Sequence, residues 1–197
     1  MKRLALLLAL SSALTAPGAQ DASRHLAFKG VPLDGTTARF VEKMRAAGFA
    51  KAGRGDGATL MTGEFAGYKG CALSVVTPKD ADVVCKVSVA FPSRSDWNSL
   101  TNDYNHLKSM LQHKYGDPSE VEEVFEVESR GYPTRTGDEK MMELYFGRCK
   151  WRSTYSTPLG DIRLSIRKSG GLGGHAALEY VDKLNTGAAR PAAIDDL

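Results

Sequence analysis

The sequence predicts an α+β fold in which two helices pack on antiparallel β-sheet, arranged as two similar α/β halves in tandem. Three observations carry that reading. Two segments repeat their apolar residues at three- and four-residue spacing, as a helix with one buried face requires. Eight others alternate apolar and polar residues with a period of two, the mark of strands with one face buried. The order of strand, proline, cap, helix and meander also occurs twice, once from "AFKGVPLDGTT" and once from "VAFPSRSDW".

The chain opens "MKRLALLLALSSALTAPGAQ": two cations, a short apolar run and a small-residue exit. That order predicts a secretory signal peptide over residues 1–20, with the first half over 21–92, the second over 93–184 and a tail over 185–197. The apolar run is too short to span a bilayer, so a periplasmic or secreted protein without a membrane span is expected. Lys2 and Arg3 are the only charges in the leader. Without them the 26 cations fall to 24 against 23 acids, and this near-neutral balance gives no global case for nucleic acid.

The first helix is expected over about 36–47, where Thr36 or Thr37 caps, Phe40, Val41 and Met44 share a face and Gly48 ends the run. The second starts at a Ser95 or Asp96 cap, carries Trp97, Leu100, Tyr104, Leu107 and Leu111 on one face, and stops at Gly116 and Pro118. Strands are expected over 25–31, 58–66, 70–77, 82–91, 120–128, 141–156, 161–168 and 175–182, with hairpin turns at 67–69, 78–80 and 158–160. "GRGDG" and "SGGLGG" read as flexible links, and "SRGYPTRTGDEK" as a loop.

No catalytic set assembles from the sequence. The four histidines are His25, His106, His113 and His175; His106 and His113 fall opposite the apolar face of the second helix and lie about 10 Å apart along its axis, too far to share a metal ion. Asp103 stands three residues before His106, a spacing that also suits an exposed ion pair. There is no serine elbow, zinc-binding helix motif or Cys-x-x-Cys, and neither a metal site nor a cofactor is expected.

Strand parity supplies the main surface feature. In "FGRCKWRSTYSTPLGDIRLSIRK", Cys149, Trp151 and Tyr155 alternate with Arg148, Lys150 and Arg152, and Ile162, Leu164 and Ile166 alternate with Arg163 and Arg167. A hairpin at 158–160 therefore places five cations on its outer face. Either an anionic ligand or partner neutralises them, or a ladder of ion pairs does, with Glu120, Glu122, Glu126, Glu128 and Glu179 as partners. Tyr68, beside Lys69 at a turn, and Tyr132 in the long loop are candidate recognition residues.

The same parity turns Cys71 inward with Leu73 and Val75, and Cys85 inward with Val87, Val89 and Phe91. Inward strand positions argue against a nucleophile and leave a disulfide or plain packing.

The segments "HLAFKGVPLDGT", "GEFAGYKGC", "VSVAFP", "HKYGDPSE", "GRCKW" and "GDIRLSI" together resemble a group of uncharacterised secreted proteins of gut commensal bacteria that share a domain of unknown function. The resemblance runs from His25 to about Lys183 and implies export and a shared fold, with no activity attached. It also implies a Cys71–Cys149 bridge, because cysteines in those two places recur in the group more dependably than one like Cys85. Element order alone is similar to the tandem α/β saddle of secreted β-lactamase inhibitor proteins and to small outer-membrane assembly lipoproteins. The expected function is a non-enzymatic binding module whose partner is a protein or an envelope or host ligand. The alternatives are a small exported hydrolase using Asp103 with His106, or His175, and a structural component of an envelope assembly.

Overall fold

The structure is a computed structural model and describes residues 24–187 apart from 56, 80, 127–130, 132, 134 and 135. The expected leader, Tyr132, Glu128 and the tail beyond 187 lie outside the described residues. In chain order the elements are β1 (Ala27–Phe28), β2 (Val31–Pro32), α1 (Thr37–Ala46), β3 (Ala50–Gly55), β4 (Ala58–Phe65), β5 (Tyr68–Val76) and β6 (Lys86–Ala90). They continue with α2 (Trp97–Tyr115), β7 (Glu120–Phe125), α3 (Gly137–Tyr145), β8 (Cys149–Thr157), β9 (Gly160–Lys168), β10 (Gly174–Asp182) and α4 (Lys183–Gly187). The fold is α+β.

β3 to β6 form one antiparallel meander and β7 to β10 another, and the two join where β6 pairs with β10, giving a single eight-stranded sheet in the order β3-β4-β5-β6-β10-β9-β8-β7. The register carries an apolar row across the join: Leu73 faces Val89, Val89 faces Leu178, and Leu178 faces Leu164. All four side chains are buried, so both meanders share one core. α1 covers this face with Phe40, Val41 and Met44, and α2 with Trp97, Leu100, Tyr104, Leu107 and Leu111. The opposite face of the sheet carries neither α1 nor α2; at its border the short α4 brings Thr186 and Gly187 to a cleft shared with the outward-facing Arg163 and Val181.

Local chemistry fixes the ends of these helices. The Thr36 hydroxyl accepts from the Arg39 amide, and Asp82 reaches in from outside to accept from the Thr37 amide (3.1 Å) and hydroxyl (2.7 Å), satisfying N–H groups that the first turn leaves open. On α2 Asp96 accepts from the Ser99 amide at 2.8 Å, and Gly116 ends the helix at φ 82°. The chain termini of the fold are pinned together: buried Asp182 accepts from the Leu26 amide (2.8 Å) and the Asn185 amide (2.9 Å) and lies 3.2 Å from His25 Nδ1. The Asn185 side chain in turn donates to the carbonyls of Leu33 and Val84.

The structure corrects several expectations. Four helices stand among the described residues, not two. The segment read as one strand over 141–156 begins as α3, which a reciprocal capping box between Thr136 and Glu139 starts and which buries Met141 and Leu144. The first three residues of "GRGDG", read as a flexible link, belong instead to the edge strand β3. "SGGLGG" is a closed turn: the Ser169 amide donates to Gly173, and a Cβ on Gly174 would come within 2.6 Å of Leu144 and 2.7 Å of Leu100. A side chain there would have to displace the two buried leucine tips of α2 and α3.

The Cys71–Cys149 bridge does not form. β5 and β8 are separated by β6, β10 and β9, four strand spacings or about 19 Å, whereas bridged Cα atoms stand within about 7 Å. Cys85 precedes the far end of β6, opposite the end that Cys71 occupies, so these two cannot bridge either. All three are thiols. The Cys71 thiol is buried and donates to the Tyr68 carbonyl at 3.3 Å, bracing the hairpin turn whose Ala66 and Gly67 have φ values of 52° and 82°. Burial pushes its pKa up, the reverse of what a nucleophile requires.

Candidate functional site

The uncovered face of the sheet follows from the same alternation that builds the core. In β5 Leu73 and Val75 point to the helices, so Ala72, Ser74 and Val76 point away; in β6 the outward residues are Lys86, Ser88 and Ala90. β4 adds Ala58, Leu60 and Thr62, and β10 adds His175, Ala177, Glu179 and Val181. Where β4 and β5 pair residue for residue, 58–62 against 72–76, no outward residue is charged. The floor there is made of alanine, serine and threonine, with Leu60 and Val76 at its edges.

The second meander differs. Arg163 and Arg167 point outward from β9, Lys150 and Arg152 from β8, and Glu120 and Glu122 from β7. Arg152 lies 3.2 Å from Glu120 and 2.8 Å from Glu122, Lys150 lies 3.8 Å from Glu122, and Arg163 lies 3.0 Å from Asp161 of its own strand. Glu179 sits at the centre of the whole face, only 9% exposed; Arg167 reaches it at 3.3 Å from one side and Lys86 at 3.7 Å from the other. Ser88 Oγ also donates to it at 3.4 Å. Lys86 belongs to the first meander and Arg167 to the second, so this carboxylate ties the two across their shared seam.

The sequence-derived candidates therefore divide. Lys150 and Arg152 pair with Glu120 and Glu122, and Arg167 with Glu179, as in the expected ladder, whereas Arg163 pairs with Asp161, which was not among the expected partners. Arg148 does not join them: it precedes β8 and forks onto Glu143 of α3 at 2.7 and 2.8 Å, and these hydrogen bonds hold the Glu143 carboxyl below the usual range. Tyr68 is no exposed recognition residue. Its ring lies edge-on to Phe91 with centroids 5.1 Å apart, its hydroxyl donates to Asp103 at 3.2 Å, and burial followed by the Asp103 charge pushes its pKa up to about 12. The partner cation Lys86 and the uncharged floor were not singled out from sequence, although the floor is the other parity of "CALSVV" and was readable there.

The hydrolase constellation does not assemble. Both Asp103 oxygens accept from Arg94, at 2.7 and 3.4 Å, and one also accepts from Tyr68, so this carboxylate serves a structural network rather than orienting His106. His175 lies on the open face beside Arg167, and burial followed by that cation lowers its pKa. Neither histidine lines the large cleft, of about 1110 Å³, which lies between α1 and the β3–β4 hairpin. Among the described residues no three His, Cys, Asp or Glu side chains cluster as metal ligands, and no helix is long and apolar enough to cross a membrane.

No family model, curated protein or solved structure matches the chain.

Proposed function

We propose that this chain is an exported, non-enzymatic binding module that takes a protein partner on the open face of its sheet, in the periplasm or outside the cell. The observation that carries the reading is the division of that face into an uncharged small-residue floor and a charge ladder neutralised by its own carboxylates. A self-neutralised ladder has little net field to attract a small anion, but it makes a satisfied polar border. Beside it, a floor without charges can be desolvated at low cost, as the centre of an interface must be. Seven strand spacings make the face about 34 Å wide, and five paired residues make it about 17 Å long, a projected area of about 580 Å² that fits a contact at the small end of specific interfaces.

Export rests on the character of residues 1–20, and the partner is an envelope or host protein on the same ground. The arrangement as two similar α/β halves, 21–92 and 93–184, is part of the reading; its support is that α1 precedes one four-stranded meander and α2 precedes the other.

Photo-crosslinking in the producing cells tests the proposal. A benzoylphenylalanine at Ser74 or Ala90 is expected to give one adduct of defined mass, lost when Ser88→Arg is added, while the same probe at exposed Gln112 on α2 gives none. Adducts from all three positions, from none, or only of twice the chain's own mass would overturn it.

A further inference from the structure

We propose that the cleft between α1 and the β3–β4 hairpin is a second binding site, for an organic anion with an apolar body, with Lys51 and Arg54 as its anion-binding residues. The cleft lies on the helix side of the sheet and stands independently of the open-face reading.

The placement of the two cations depends on a β-bulge. In a regular strand, residues three apart point to opposite faces. In β3 the register slips between Lys51 and Gly53, so Lys51 lies opposite Met61 and Arg54 opposite Thr59, both inward-facing positions of β4. The extra residue therefore turns Lys51 and Arg54 to the same side, toward α1, the kind of re-aiming for which bulges are used near sites. Both are exposed, and neither makes an ion pair among the described residues.

Among the described residues, the other charges that line the cleft are already committed. Glu42 of α1 pairs with Arg45 at 3.1 Å. The Asp82 carboxylate is engaged by the amide and hydroxyl of Thr37, which hold its pKa down with a smaller contribution from Arg54, so its charge is directed at the end of α1. That leaves two cations on one wall. Beneath them the floor is Val41, Val75 and Thr59, all buried and mostly apolar, and the volume of about 1110 Å³ is a little above the usual range for small-molecule sites, room enough for an extended ligand. A flat polar anion would leave this floor uncovered, and a purely apolar ligand would leave the cations unused. A carboxylate or sulfonate on an apolar body satisfies both.

Titration calorimetry on the purified full chain tests the assignment with laurate as probe and two controls, inorganic phosphate and dodecyltrimethylammonium. Laurate is expected to bind one site, weakening with salt, while the cationic amphiphile does not bind. The double variant Lys51→Glu/Arg54→Glu is expected to weaken laurate by at least about tenfold, since each charge-assisted hydrogen bond to an anion is worth about that much. Ala38→Trp, at an exposed position of α1 lining the cleft, is expected to block laurate without touching the core. Melting curves confirm that each variant is folded. Absence of laurate binding, equal binding to the double variant, equal binding of the cationic amphiphile, or phosphate binding as tightly as laurate would each overturn the proposal.

Discussion

The two meanders meet on the same sheet and share one core, yet they treat charge differently on both faces. Beneath α1 the first meander is apolar, with Met61, Leu73 and Val75 under Phe40 and Met44. Beneath α2 the second holds a polar chain: the Tyr104 hydroxyl and Ser153 Oγ are 2.7 Å apart, Tyr104 also donates to Glu123, and Glu123 pairs with Lys108. Asp103 of the same helix holds a second network, accepting from Arg94 just before the helix and from Tyr68 at the start of β5 in the first meander. On the open face the first meander is nearly uncharged and the second carries the ladder. A buried polar group must find partners of fixed geometry, whereas an apolar one must only fill space. The second meander is therefore the more specified half, and the first is left with the plain surface and the open cleft that suit ligands.

The largest expected effect asks whether the two are one unit at all. Leu73→Ala in β5 and Leu164→Ala in β9 each remove a fully buried side chain from the row that crosses the seam, and each is expected to cost about 2–5 kcal/mol. Urea unfolding followed by tryptophan fluorescence and far-UV circular dichroism should show one coincident transition, shifted by either variant. Two transitions, each sensitive to only one substitution, would make the halves separate folding units.

A smaller effect separates the polar half from the apolar one. Asp103→Ala strands Arg94 and the Tyr68 hydroxyl and is expected to cost about 2–3 kcal/mol. Asp34→Ala, which breaks the exposed pair with Lys43 on the first half, should cost under about 1 kcal/mol. Equal losses in thermal melts would remove the contrast.

The ladder is weaker still. Arg152→Ala breaks contacts with Glu120 and Glu122 that lie about half in solvent, and an effect of about 0.5–1 kcal/mol is expected at low salt, fading toward 1 M as screening shortens to about 3 Å. An undiminished effect at high salt would mean that the side chain acts through packing instead.

The smallest effect is a pH slope. His175 has a folded pKa below the ordinary 6.5, because burial and the Arg167 charge penalise the imidazolium. As pH falls below about 6.5 the unfolded chain takes up this proton before the folded one does, so stability decreases with acid until the folded pKa is also passed. His175→Asn is expected to flatten that part of the stability–pH curve, and an unchanged curve would show that the ring is solvated.

Much of this was legible locally. α1 and α2 were readable because their apolar residues keep helical spacing for several turns, and of the expected caps, Thr36 or Thr37 and Ser95 or Asp96, Thr36 and Asp96 are the ones used. α3 was not, because Met141, Met142, Leu144 and Tyr145 were read together with the alternating "CKWRSTY" as one continuous strand; the Thr136–Glu139 capping box was the overlooked signal. β3 was missed because glycine and lysine are poor strand formers, and its edge position leaves it little to bury. Of the candidate site, the outward cations of β8 and β9 came directly from parity. The bulge that aims Lys51 and Arg54 was unreadable, since it exists only in pairing with β4.

The sequence by itself determined which side of each strand is core and which is surface, because alternation is a property of neighbouring residues. Tertiary structure alone decided that β6 meets β10. From that pairing follow the seat of Glu179 between Lys86 and Arg167, and the four strand spacings that keep Cys71 from Cys149. Strand adjacency is set by pairing between residues far apart in the chain, and no local pattern records the distance between two strands that never touch.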